Sequence, residues 1–597
     1  MTTDEKTTTL RRYAPSRRRF LRDATFVSLG LIAASCAPGS STGTQGGGKA
    51  KKGGVFHAAW PYDLPPKGVW NVYGGTPVLS GSYLLEIPYQ NLAIYRWADK
   101  KWEYLLAESH TSAADSFVVK LRKGVKWDNG TEVTAKDVLA TFWLARLQGS
   151  AIWNFASDVE ASDDQTVRFK LSKSSALLER NILRTGIRPA AVYGTYADKA
   201  RDLFKAGKKA TDDDVKALAK ELAAASIPAP SSNGPYKIDP ASMTEAQMTM
   251  VRNPGGLFAD KVNFDKIVIF KGETEQVTPL VLAGEIDYAT HFFPLATEKA
   301  FVDQGLKIVR GPFYTGPALY FQWENAPQFQ DPKLRQAVAF ALDRDQANQI
   351  AYGGATRAPK WAAAVSDTIL EKWLSADDQK KLTVYKKDTA KAESLLKEAG
   401  YAKGGDGIYA KDGKKLEFDL KYPSDFADWS AVATNVADQL TKFGIKTTLR
   451  GAPFSTHSPD FLKGNFALGF HAWGLGHPHP QPSMVRPIRQ FNTLASGGGH
   501  KYAVKQKTSR GDVDFEALLV QAEDIDEAKQ KDAVTKYALA FNELLPALPL
   551  AERFNNAPIN DQKRVAGWPP LEDKIFQNGG GDNFTLVLLM DGTLGSK

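Results

Sequence analysis

The sequence is most informative first for what it has little of. It holds one cysteine in 597 residues, Cys36. The chain beyond Cys36 therefore has no thiol, which excludes disulfides and cysteine-based zinc sites there. Long apolar runs are missing too. The most apolar stretch, from Ala24 to Ser35, is shorter than the roughly 20 residues that a membrane-spanning helix needs. From Val55 onward there is no Gly-x-Ser-x-Gly turn and no His-Glu-x-x-His helix, so the usual serine-hydrolase and zinc-protease signatures are absent. Residues 461–511 contain no Asp or Glu but seven Lys and Arg.

Excess charge is also absent where it would matter. The formal charge is +9. Residues 1–35 carry seven basic and three acidic side chains, and residues 36–54 add three lysines. The remaining body is nearly neutral at +2 (9 less 4 less 3), which gives no footprint for a nucleic-acid partner.

What is present begins with an address. Ser16, Arg17, Arg18, Phe20 and Leu21 fit a twin-arginine export pattern, and the small residues before Cys36 resemble a lipoprotein cleavage site. The expectation is a signal peptide over 1–35 and lipid attached to Cys36, anchoring the protein to the outer face of the cell membrane. Residues 36–54 then read as a Gly/Ser-rich tether. Within it, "GTQGGGKA" has the spacing of a phosphate-binding loop, but Ala50 replaces the magnesium-binding hydroxyl and no strand precedes it.

From Val55 the pattern mixes strands and helices, which makes the fold class α/β or α+β in several layers. An alternating strand opens "DSFVVKLRKGVKWDNGTEVTAKDV" (115–138), followed by an Asp-Asn-Gly turn and a capping box of Thr134 and Asp137. Helices are predicted over 211–225, 331–345, 388–401 and 514–544, and a helix, Gly stop and strand over 429–449. Five segments in order, "LRKGVKWDNGTEVTAKDV", "NGPYKI", "PLVLAGEIDYA", "DPKLRQAVAFALDRDQANQIAYGGATRAP" and "AKAESLLKEAGY", resemble the family 5 extracellular solute-binding proteins of ABC importers, the oligopeptide and dipeptide binders. The resemblance implies an α/β fold of two hinged lobes with an extra subdomain in the first. On that pattern lobe I covers 55–310 and lobe II 311–546, with 547–597 returning to lobe I. It also implies a monomer that delivers its ligand to membrane permease subunits and carries no cofactor and no catalytic residues.

The ligand is left open by the resemblance. In peptide-binding members an Asp in the second lobe pairs with the ligand's α-ammonium, and the acid-free stretch 461–511 stands about where that residue is expected. An oligosaccharide of cello-oligosaccharide type is therefore the favoured reading, with an oligopeptide as the alternative and a secreted lipoprotein hydrolase as a further one. Aromatic planes cover the C–H faces of sugars, and amide, imidazole and indole groups bond the hydroxyls. On that basis the candidate ligand residues are Trp60, Trp70, Asn71, Tyr73, Trp323, Trp361, His471, Trp473 and His477. Three histidines cluster in "FHAWGLGHPHPQPS" (470–483). The prolines turn His477 and His479 to opposite sides, and no acid or thiol is near to complete a shell, so no metal is expected.

Overall fold

The computed structural model describes residues 50–597 except 62–63, 65, 67, 75–82 and 493–497. The expected export signal, with Arg17 and Arg18, and most of the tether, with Cys36, lie outside the described residues. Two mixed sheets organise the body. The first has seven strands, in the order Lys307–Val309, Ala557–Ile559, Tyr288–Ala289, Val55–Trp60, Lys266–Lys271, Gln247–Arg252 and Tyr236–Asp239. Its centre is parallel, since Val55–Trp60 pairs in parallel with both Lys266–Lys271 and Tyr288–Ala289. The second has five strands, in the order Lys446–Ala452, Glu417–Pro423, Leu468–Trp473, Gly316–Phe321 and Ala547–Pro549. A four-stranded antiparallel sheet, built from Ala107–Ser112, Ser116–Leu121, Thr166–Leu171 and Ala156–Asp163, packs into the same apolar core as the seven-stranded one. The result is two lobes, the first carrying an extra subdomain.

The chain passes between the lobes twice, and the two crossings run side by side. Phe313 N–H donates to Arg553 O (3.1 Å), Arg553 N–H to Thr315 O (3.0 Å) and Asn555 N–H to Gly311 O (2.7 Å). This short ladder joins the two sheets and is the natural place for relative motion of the lobes.

Local chemistry accounts for most element boundaries. The predicted capping box is present: Thr134 N–H donates to Asp137 Oδ2 (2.8 Å) at the start of helix Ala135–Leu147. Helix Ala427–Phe443 stops at Gly444, whose φ of 118° suits only glycine, and strand Lys446–Ala452 follows. Two predicted helices are each broken in two by an aspartate. Asp343 accepts from Gln346 N–H (2.9 Å) and starts Arg344–Tyr352 after Pro332–Ala341 has ended. Asp526 accepts from Ala528 N–H (2.8 Å) and separates Phe515–Gln521 from Glu527–Leu544. A side-chain cap offers the backbone an alternative to continuing the helix, and apolar periodicity does not register it. Among the described residues no helix is long and apolar enough to cross a membrane.

Candidate ligand-binding cavity

A cavity of about 540 Å³ lies between the lobes, within the size range of small-molecule sites. It sits beyond the carboxyl ends of parallel strands on both sides. Trp60 ends strand Val55–Trp60, Thr290–Phe292 follow Tyr288–Ala289, and Glu273 follows Lys266–Lys271. From the other lobe, Phe426–Trp429 follow strand Glu417–Pro423 and open the next helix. Crevices outside such strand ends are where open α/β sheets gather ligands. The interlobe ladder supplies Phe313, Arg553 and Asn555.

The wall combines aromatic rings with ion pairs. Asp428, buried in the first turn of its helix, accepts from Arg553 Nη1 at 3.3 Å. Burial pushes the Asp428 carboxyl up, while Arg553 opposes that shift. The Arg553 guanidinium lies 3.9 Å from the Phe292 ring centre and 5.2 Å from that of Phe313, so rings of both lobes meet one cation. Opposite, Arg184 pairs with Glu86 at 2.6 Å and through Nε with Asp582 at 2.9 Å. Asp582 is fully buried and also accepts from Trp97 Nε1 (2.7 Å) and from Arg180. Burial alone would raise its carboxyl, but Arg184 and Arg180 outweigh that and hold it low. His291 is buried at the wall and donates from Nε2 to Gly272 O (2.6 Å), which leaves Nδ1 as the acceptor; burial lowers its pKa to about 4, so the ring is neutral.

Of the nine residues singled out from the sequence, Trp60 lines this cavity. The others sit elsewhere. Asn71 holds the end of a first-lobe helix, its Nδ2 donating to Leu222 O (2.6 Å) and Ala225 O (3.2 Å). Trp70 is buried in the same core, and Tyr73 meets Tyr193 edge-on at 5.2 Å. Trp323 packs edge-on to Tyr502 (4.7 Å), and Trp361 is buried in the same cluster. Trp473 is fully buried, with Nε1 donating to Ala551 O (2.8 Å). His471 is packed 4.1 Å from the ring of Phe491. The reason is shared by His471 and Trp473. Strand Leu468–Trp473 is internal to its sheet and covered on both faces, so neither side of its alternation faces a cleft.

The His/Pro segment proves to be a brace. His477 Nδ1 accepts from His479 N–H (2.9 Å), closing a tight turn in place of the extended run expected from the prolines. Gln481 Nε2 then reaches Glu523 Oε1 (2.6 Å). The backbone carbonyl of Glu523 accepts from Ala176 N–H of the first lobe (3.0 Å). The segment thus supports an interlobe contact and keeps its histidines out of the cavity. Among the described residues no group of three or more His, Cys, Asp or Glu could hold a metal ion.

Sequence reasoning missed Arg188, His291, Phe292, Asp428, Trp429 and Arg553, all of which line the cavity. Asp428 and Trp429 carried a usable signal, since they open a helix just after a strand. Arg188 lies in an irregular segment and Arg553 in the two-residue strand Glu552–Arg553, and neither carried one.

With this geometry in hand, the comparisons are specific. The family model for "Bacterial extracellular solute-binding proteins, family 5 Middle" matches residues 101–492. The oligopeptide-binding protein AppA of Bacillus subtilis is 28% identical over 351 residues, 55% of this chain and 57% of AppA. The glutathione-binding protein GsiB of Shigella boydii is 25% identical over 321 residues, 51% of this chain and 54% of GsiB. The chain thus spans a little over half the length of these relatives. Among solved structures, the mannohexaose-bound periplasmic oligopeptide-binding protein of Thermotoga maritima superposes with a TM-score of 0.73 at 20% identity, covering 91% of this chain and 98% of that one. AppA of Bacillus subtilis with a nonapeptide gives 0.69 at 20% identity, covering 92% and 100%. These two structures share the fold.

Proposed function

We propose a function from the premise that this chain belongs to the family 5 bacterial extracellular solute-binding proteins: it captures a short peptide between its lobes and delivers it to the permease of an ABC importer, without catalysis. The carrying observation is the interlobe cavity, whose wall sets Arg184, Arg188 and Arg553 beside Glu86, Glu273 and Asp428, among aromatic rings. Charges of both signs suit a ligand with an amine and a carboxylate, and the rings suit its side chains. The peptide ligands named for AppA support the same choice. The case for an oligosaccharide rested on the acid-free segment and its aromatic residues. The segment is a brace outside the cavity, so its lack of Asp says nothing about the amine's partner, and Asp428 supplies a second-lobe carboxylate in its place. An oligosaccharide stays as the second reading, favoured by the aromatic wall at Trp60, Tyr89 and Trp429.

The remaining expectations belong to this proposal: export and lipid attachment at Cys36, the tether over 36–54, a monomer, and the lobe division at 55–310, 311–546 and 547–597. Sheet membership supports the division with one adjustment, because strand Ala547–Pro549 pairs within the second lobe's sheet.

The test is a titration of intrinsic tryptophan emission with di- to hexapeptides beside neutral oligosaccharides. Trp60→Ala is expected to weaken peptide binding by about 2 kcal/mol, roughly thirty-fold in Kd, as removal of a buried aromatic anchor does. Saturation by oligosaccharides alone would move the assignment to the second reading, and unchanged peptide affinity would remove Trp60 from the site.

A further inference from the structure

Three arginines and three carboxylates line the cavity, but the arginines are not evenly paired. Glu86 is matched by Arg184, and Asp428 by Arg553. Arg188 has no such partner. Among the described residues no carboxylate comes within ion-pairing distance of it, its guanidinium donates no hydrogen bond, and its Nη1 is buried. What it has is the face of Tyr89, 4.7 Å from the guanidinium carbon. A guanidinium is a permanent cation with donors only. Stacking on a ring recovers part of the lost hydration, but the N–H groups still need acceptors.

The backbone around Arg188 is fixed, so its place at the wall is not incidental. Arg188 N–H donates to Thr141 Oγ1 (2.8 Å), and Ile187 N–H to Gln90 O (3.1 Å). Gly186 closes the fit, since a Cβ there would stand 3.1 Å from Asn91 Oδ1 and 3.6 Å from Arg188 Nη2. Across the cavity, Arg553 Nε and Trp429 Nε1 are also buried donors without partners. Unmet donors thus stand on both walls, with His291 Nδ1 as a single unmet acceptor beside them among the described residues.

We infer that the ligand presents a carboxylate to Arg188, and that this contact selects acidic or free-acid ligands over neutral ones. The inference rests on the cavity being the ligand site and adds the class of group that must be there. A carboxylate would accept two parallel N–H bonds from the guanidinium in the geometry that arginine favours.

The experiment is native mass spectrometry of the purified protein with two equimolar tetrapeptide pools, one with free C-termini and one C-terminally amidated, and separately with oligogalacturonide and mannohexaose. The wild type is expected to retain the free acids about 10- to 100-fold better than the amides, the range for one charge-assisted hydrogen-bonded contact. Arg188→Gln is expected to erase that preference while melting as the wild type does, and Arg188→Lys to restore part of it. Equal retention of acids and amides by the wild type, or a preference surviving in Arg188→Gln, would overturn the inference and leave the peptide reading standing. Should neither peptide pool be retained, the peptide reading falls. The inference is then carried by an oligogalacturonide preference lost in Arg188→Gln, and overturned by retention of mannohexaose alone or of nothing.

Discussion

Between pH 7 and pH 5.5 three buried histidines are expected to withdraw about 4 kcal/mol of stability, seen as a fall in the urea midpoint. The cause is a set of histidines buried in the neutral form. Burial lowers His291 and His500 to about 4 and His477 to about 3. Each is buried, and an unfolded histidine titrates near 6.5. A folded pKa below the unfolded one means that the unfolded state takes up the proton first. Stability is therefore full above about pH 6.5 and drains away as pH falls toward the folded values. At pH 5.5 this amounts to a little over 1 kcal/mol for each of the three. Buried carboxylates act in the opposite sense. Glu86, Asp287, Asp428 and Glu552 are raised by burial, so their protonation favours the folded state as pH falls and offsets part of the histidine loss. His500→Gln, which keeps a donor for Pro487 O, should make the fall smaller by that ring's share, a little over 1 kcal/mol by about pH 5.5. A fall that is the same in wild type and His500→Gln would contradict the burial of that ring.

Trp473→Ala is the second large effect, and it falls on stability. The indole is fully buried among Tyr320, Phe461 and Met484 of one core cluster, and its N–H bonds to Ala551 O at 2.8 Å. Removing it leaves a large cavity and a bare carbonyl, for an expected loss of about 3–5 kcal/mol. Because Trp473 does not line the ligand cavity, the molecules that still fold should bind ligand with nearly wild-type affinity. Trp60→Ala should behave in the reverse way. If Trp473→Ala left the urea midpoint in place and abolished binding, the ligand would have to contact the His/Pro segment after all.

These two tryptophans show how far the sequence could be read. Both occur near the ends of apolar strands and look alike in sequence. Trp60 ends a parallel strand and points beyond the sheet, whereas Trp473 is held in an internal strand capped by the helices of 515–544. Which strand end opens on the cleft is decided by pairing between segments hundreds of residues apart, such as Val55–Trp60 with Lys266–Lys271. The two-lobed fold was legible because local signals agreed with the ordered family segments. The cap at Thr134 and the stop at Gly444 act within a few residues, and they were read correctly. The cavity was not legible, because its charged residues are paired across distance: Asp428 with Arg553, Arg184 with Asp582. The missing acids of 461–511 were real, but the inference drawn from them assumed a position that only the tertiary fold assigns.

The most direct test of the account is a crystal structure of the protein with the ligand it retains through purification. The account predicts continuous ligand density between Trp60 and Asp428, with a carboxylate on Arg188. Density against Trp323 or Trp473, with the interlobe cavity holding only solvent, would contradict it.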